Sequence, residues 1–225
     1  MQVLRPITAN DFDALKQIAI ESGHGFTSLP VDDTQLKEKI DRAEKSFAKN
    51  INKPLDESYL FVLEDSETGK VIGTTAIEAA VGLTVPLYHY HLGKTVHHSP
   101  TLNVYNTVDI LSMCNDYTGC SEICTLFLRE DSRTGLTGRF LSRSRFLFMA
   151  QHSERFADTV IAEMRGVSDE HGHSPFWQWL QEHFFSIEFP QADHLVGLGD
   201  KVFISELMPK YPIYVNLLSK KAQAV

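Results

Sequence analysis

Between Arg129 and Arg145 five arginines (Arg129, Arg133, Arg139, Arg143 and Arg145) stand against two acids, Glu130 and Asp131. The local net charge is plus three, in a chain of 225 residues whose formal total is −8. A cationic stretch on an acidic protein calls for an anionic ligand. The same stretch follows the apolar run SEICTLFL and contains Gly135 and Gly138, so it reads as a strand, a glycine turn and the start of a helix. Free backbone N–H groups and the positive end of a helix dipole at such a place suit a phosphate or pyrophosphate. The plain structural alternative is a βα turn with a solvated basic helix start. That alternative leaves unexplained why Arg139 and Arg143, four apart and on one helix face, have no acidic neighbour.

Two common phosphate motifs are excluded. Neither the Gly-Lys-Ser/Thr ending of a nucleotide-binding loop nor a triple-glycine dinucleotide fingerprint occurs in this turn. The spacing of Arg133, Gly135 and Gly138 instead resembles the pyrophosphate loop of the GNAT family of acyl-CoA transferases, Arg/Gln-x-x-Gly-x-Gly/Ala after a central strand. Leu136 occupies the first consensus glycine and Gly135 sits one place early. The opening Arg5-Pro6 before a helix is similar to the usual GNAT start. The strings FVLEDSETGKVIGTTAIE, CTLFL, SRSRFLFMA, AEMRGVSDEHGHSPFW and FISELMPKYPIY resemble arginine N-succinyltransferase and its ornithine-accepting relatives, from Arg5 almost to Val225.

That resemblance implies an α/β fold, a GNAT-like mixed, mostly antiparallel sheet flanked by helices. It implies transfer of the succinyl group of succinyl-CoA to the α-amino group of L-arginine, as the opening step of arginine catabolism. The alternatives are another amine such as ornithine, another acyl donor, or a CoA-binding fragment without catalysis. Residues 1–225 are expected to form one acyltransferase domain with 81–120 as an insertion, and the family's C-terminal portion to be absent. Cofactor-binding positions implied by the resemblance are Leu126, through its backbone at a kink in the central strand, with Arg133, Gly135, Gly138 and Arg139. CoA enters as a substrate, so no separate cofactor is expected.

Amide formation from a thioester needs the amine to lose a proton, donors for the oxyanion, and stabilisation of the departing thiolate. No catalytic residue is assigned. Phe176 and Trp177 stand where many GNAT enzymes carry a proton-donating tyrosine, and neither can donate as a tyrosine does. His171, in DEHGH, is a candidate by residue type, with a structural cap as the plainer reading. The resemblance places a proton-donating histidine a few residues beyond Val225. Arg165 is a candidate for the succinyl carboxylate, and Glu163, Asp169 and Glu170 for the arginine guanidinium, each weighed against an ordinary solvated strand end.

The elements needed to position these groups are legible in part. Helices are expected over 11–22, 32–50, 138–152 and 175–182, and strands over 59–64, 71–80, 121–128 and 159–165, with DSETGK closing a hairpin. Residues 81–120 read as short pieces. His89, His91, His97 and His98 allow a metal site on paper, but no cysteine or carboxylate spacing beside them supports it, and no metal is expected. Phe176, Trp177, Trp179, Phe184 and Phe185 fall at core spacing. Hydrophobic content of 43% permits a sizeable core. No run reaches a membrane span of about 20 residues, and the start lacks a secretory apolar stretch. Three cysteines suit reduced thiols in the cytoplasm. Net negative charge argues against nucleic acid. Expected partners are small-molecule substrates, with self-association left open.

Overall fold

A computed structural model describes every residue except His24, Gly25, Thr27, Arg165 and Leu198. In chain order the elements are β1 (Gln2–Pro6), α1 (Phe12–Ser22), α2 (Asp33–Ala48), β2 (Ser58–Asp65), β3 (Lys70–Glu78), β4 (His89–Ser99), β5 (Val104–Cys114), β6 (Ser121–Leu128), α3 (Thr137–Gln151), β7 (Val160–Ile161), α4 (Pro175–Leu180) and β8 (Ile213–Tyr214). Short helices at Phe189–Gly197, Val202–Leu207 and Lys220–Gln223 complete the chain. This is an α/β fold of mixed, mostly antiparallel sheets flanked by helices, as expected. The chain divides into two compact units, Met1–Pro86 with Tyr117–Met164, and Leu87–Asp116 with Arg165–Val225.

The first unit holds a five-stranded sheet in the order β1-β2-β3-β6-β7. All pairs are antiparallel except β6 with β7. β2 is buried on both faces, and its alternation sorts its side chains. Leu60 and Val62 join Leu15, Ile18, Leu36 and Ile40 of α1 and α2. Tyr59 and Phe61 face the other way, onto Phe148 of α3, and Leu63 packs with Leu141. The sheet therefore has α1 and α2 on one face and α3 on the other. Leu36, Ile40 and Ala43 supply the buried stripe of α2. Its start is fixed by Asp32, whose side chain accepts from the Gln35 amide at 2.8 Å.

Arg5-Pro6 has a mechanical explanation. The Arg5 guanidinium donates to both oxygens of the buried Asp11 carboxylate at 2.7 Å and to Glu64 at 2.8 Å. It thereby ties the end of β1 to the entry of α1 and to β2. Burial pushes the Asp11 carboxyl up, but hydrogen bonds from Arg5 and from the amide and hydroxyl of Thr8 outweigh it and hold the group below its usual range.

In the second unit β4 and β5 form an eleven-residue-per-strand hairpin, extended by β8 on β5. Residues 81–120, read from sequence as short pieces, thus contain two of the longest strands. Leu180, Phe185, Ile213, Leu218 and Ala222 form the core, with Phe176, Trp177 and Trp179 packed against it. Trp177 donates its ring N–H to the Ile187 carbonyl at 3.0 Å. The aromatic cluster is core material, as its spacing suggested. The strand expected over 159–165 is a correction: it is two residues long, Val160–Ile161.

Candidate functional site

β6 does not run straight. Ala76 of β3 pairs with Cys124 and Thr74 with Phe127, so Thr75 alone faces two residues, Thr125 and Leu126. That extra residue makes a β-bulge. Thr125 takes φ of +52°, a left-handed conformation that costs a β-branched residue about 1–3 kcal/mol. On its other side β6 pairs with β7 only at Ser121 and Glu122. From Ile123 to Leu128 that edge has no strand partner among the described residues, and the backbone there is open to a ligand that could pair as an added strand. This splay also explains why β7 is short, since β6 turns away from it.

Beyond Leu128 the chain enters the arginine turn. Gly135 has φ of +53°, the conformation for which glycine is needed, so the glycine one place early meets a backbone demand. Leu136 precedes the first helical residue and is exposed. The Thr137 amide bonds the Thr134 carbonyl and the Phe140 amide the Leu136 carbonyl. The amides of Gly138 and Arg139 have no acceptor among the described residues. Among the described residues no side chain caps α3, and no acid lies in its first turn, leaving its positive end uncompensated.

A cavity of about 460 Å³ sits at this point, lined by Leu126, Leu128, Arg133, Thr134, Gly135, Gly138, Arg139 and Leu141. The five positions singled out from sequence, Leu126, Arg133, Gly135, Gly138 and Arg139, are therefore brought to one place. Their roles differ. Arg133 donates Nε to the Leu128 carbonyl at 2.9 Å and lies 5.9 Å from the Phe127 ring centre; it pins the turn to the strand end as well as contributing charge. A Cβ on Gly138 would meet only Leu128 Cδ2, at 3.9 Å, so this glycine is not required by packing. A larger hollow of about 670 Å³ lies across Arg133, lined by Lys70 and Arg129 but also by Glu21, Glu130 and Asp131. Arg129 pairs there with Glu21 at 3.5 Å and Lys70 with Asp131 at 3.1 Å. Its charges are already matched, and the smaller cavity is the better place for an anion.

The remaining candidates fall elsewhere. Cys124, beside the kink, has its thiol pushed well up, first by burial and further by Glu78 and Glu122, so it is a protonated thiol and not a nucleophile. His171 and His173 belong to the second unit, in a turn organised by Asp169, which accepts from both backbone amides at 2.9 and 2.8 Å. His171 lies 3.6 Å from Glu170 with its side chain largely exposed, and Glu163 and Glu170 are also exposed. Arg165 lies outside the described residues. His89, Cys114 and Asp116 place one donor atom each within 4.8 Å of one another, because Cys114 faces His89 across the hairpin. Sequence spacing could not show that. Three donors fall short of a closed four-ligand site, and Asp116 is already within 3.6 Å of His91. Among the described residues no helix is long and apolar enough to cross a membrane.

The bulged central strand with a free edge, the left-handed glycine and the uncapped helix start define a GNAT-like α/β protein with a cavity at the β6–α3 turn. A family model described as arginine N-succinyltransferase beta subunit matches residues 2–225, and the chain belongs to that family. It is 53% identical over all 225 residues to proteins named arginine N-succinyltransferase from Citrobacter koseri and from Escherichia coli K12/DH10B, spanning 65% of the length of each. A solved structure described as arginine/ornithine succinyltransferase subunit AI from Pseudomonas aeruginosa superposes with a TM-score of 0.89 at 40% identity, over all of this chain and 65% of that one.

Proposed function

We propose that the chain takes part in transferring the succinyl group of succinyl-CoA to the α-amino group of L-arginine, in arginine catabolism in the cytoplasm. The observation that carries the CoA part is the 460 Å³ cavity that joins the free edge of β6 to the unoccupied amides of α3. The CoA pyrophosphate lies on the amides of Gly138 and Arg139 with Arg139 beside it. The pantetheine arm then runs back along the open edge past Leu126 as an added strand. The bulge at Thr125 and Leu126 turns backbone N–H groups out of the ladder, where they can donate to the thioester oxygen as charge builds on it. The neutral arginine amine attacks the thioester carbonyl directly, the C–N bond forms as the C–S bond breaks, and the proton the nitrogen gives up ends on the departing sulfur as the free CoA thiol. A protonated Cys124 gives no covalent route.

Arginine as acceptor is supported by the names of the 53% identical relatives, and ornithine is the second amine because the 40% identical Pseudomonas protein is described with both. The test is release of free CoA thiol from succinyl-CoA by the 225-residue chain, with arginine or ornithine added. Release that depends on arginine is expected. Release with ornithine alone would move the reading to the second amine, and binding of CoA without release under either would leave a CoA-binding module.

A further inference from the structure

Of the five arginines in the turn and helix, Arg145 is the odd one. It is buried, with 4% of its surface exposed, while Arg133, Arg139 and Arg143 are exposed. Its Nε donates to the Ser142 carbonyl and its Nη2 to Ser142 Oγ, both at 3.1 Å and both within its own helix. Arg5, Arg42, Arg129 and Arg155 each reach a carboxylate within 4 Å. Arg145 reaches none among the described residues. Burial lowers its pKa, yet an arginine stays charged in a protein. A buried cation without a counter-ion is costly unless something pairs with it. Ser142 uses one edge of the guanidinium, and the end-on fork formed by Nη1 and the second Nη2 hydrogen remains, the geometry that suits a carboxylate bidentately.

The position of Arg145 fits the acyl end of a thioester bound as above. α3 links β6 to its parallel neighbour β7 and so runs back antiparallel to β6. Gly138 to Arg145 advances about 10 Å along the helix, and Leu128 back to Thr125 about 10 Å along the strand. Arg145 is therefore level with the kink, within a pantetheine's reach of the phosphate end. A second polar group waits on the same face. Thr75, fully buried opposite the bulge, has its Oγ1 without a hydrogen-bond partner among the described residues. It pairs with Phe61 across the β2–β3 ladder, and Phe61 packs on Phe148 of α3 at 5.0 Å between ring centres, so Thr75 faces the helix side.

Resting on the reading that this unit holds an acyl-CoA, we propose that Arg145, with Thr75, forms the subsite for the terminal carboxylate of a dicarboxylic acyl group, and so selects succinyl-CoA over monocarboxylic thioesters. The carboxylate completes the charge that the fold leaves open, and a methyl in its place leaves guanidinium and hydroxyl unpaired.

Calorimetric titration of the 225-residue chain with CoA, succinyl-CoA and butyryl-CoA, which carries a methyl where succinyl has its carboxylate, tests this. Wild type should bind succinyl-CoA about 10- to 100-fold more tightly than butyryl-CoA, the span of a buried charged hydrogen bond. Arg145→Gln and Arg145→Met should bring that ratio near one while CoA affinity stays within about twofold. A folded variant that keeps the preference, or a wild type without one, overturns the subsite and leaves the CoA reading intact. A wild type that binds no CoA overturns both. A crystal structure of the wild-type chain with succinyl-CoA decides without relying on the variants' folding: the carboxylate is expected about 3 Å from the Arg145 guanidinium, and a carboxylate held by another group overturns the proposal.

Discussion

Gly138→Asp should bind CoA about 100-fold more weakly than wild type while unfolding no more easily. The two halves of that expectation have separate causes. A Cβ at this position would meet nothing closer than Leu128 Cδ2 at 3.9 Å, so the side chain enters open space. The position lies in the first turn of α3, where a carboxylate favours the helix by about 0.3–1 kcal/mol and aspartate loses less backbone entropy than glycine. The same carboxylate would stand about 5 Å from the pyrophosphate, and two unit charges at that distance repel by about 3 kcal/mol at the effective dielectric of a protein surface, or about 100-fold in affinity. Gly138→Ala is the matched control and should bind nearly as wild type. Equal CoA affinity of the folded aspartate variant and wild type would remove the pyrophosphate from this turn.

Arg5→Met should lower stability by about 2–4 kcal/mol, because it leaves the nearly buried Asp11 carboxylate without its two guanidinium hydrogen bonds. The loss should depend on pH in one direction. With Arg5 in place the folded pKa of Asp11 lies below its unfolded value, so its contribution is fully present above about pH 4 and fades as pH falls through the lower folded value. In Arg5→Met burial is opposed only by Thr8, the folded pKa rises, and the advantage of wild type is largest near neutrality and shrinks in acid. Urea midpoints of both proteins at pH 7 and pH 3 read this out. A gap that stays constant between the two pH values would mean that Arg5 acts through packing and not through Asp11.

How much of this could be read from the residues follows from where the information resides. β6 was legible to the residue and α3 to within one, because an apolar run broken by a glycine turn and followed by a periodic stripe is local. The Arg5-Pro6 opening was legible as a pattern, but its cause, a clamp on Asp11 and Glu64, is not local. The β4–β5 hairpin was missed because strands such as HYHLGKTVHHS lack the alternation that marks a half-buried strand; Leu92 and Val96 point into solvent. The kink at Thr125 has no signal in its own residue type, since threonine is a poor choice for a positive φ and the bulge against Thr75 imposes it. Counting charge put five arginines on equal terms. Folding separates them, with Arg129 spent on Glu21, Arg133 partly on the Leu128 carbonyl, Arg139 at the cavity, Arg143 exposed on the helix, and Arg145 buried.

The central claim is that acyl-CoA lies along β6 with its pyrophosphate on the start of α3, and backbone amide NMR of the isotope-labelled chain titrated with CoA tests it most directly. The largest shifts are expected at Gly135, Gly138 and Arg139, continuing through Leu126 along the free edge of β6. Shifts centred on Glu21, Lys70 and Arg129, around the larger and charge-matched hollow, with Gly138 and Arg139 unmoved, would contradict it.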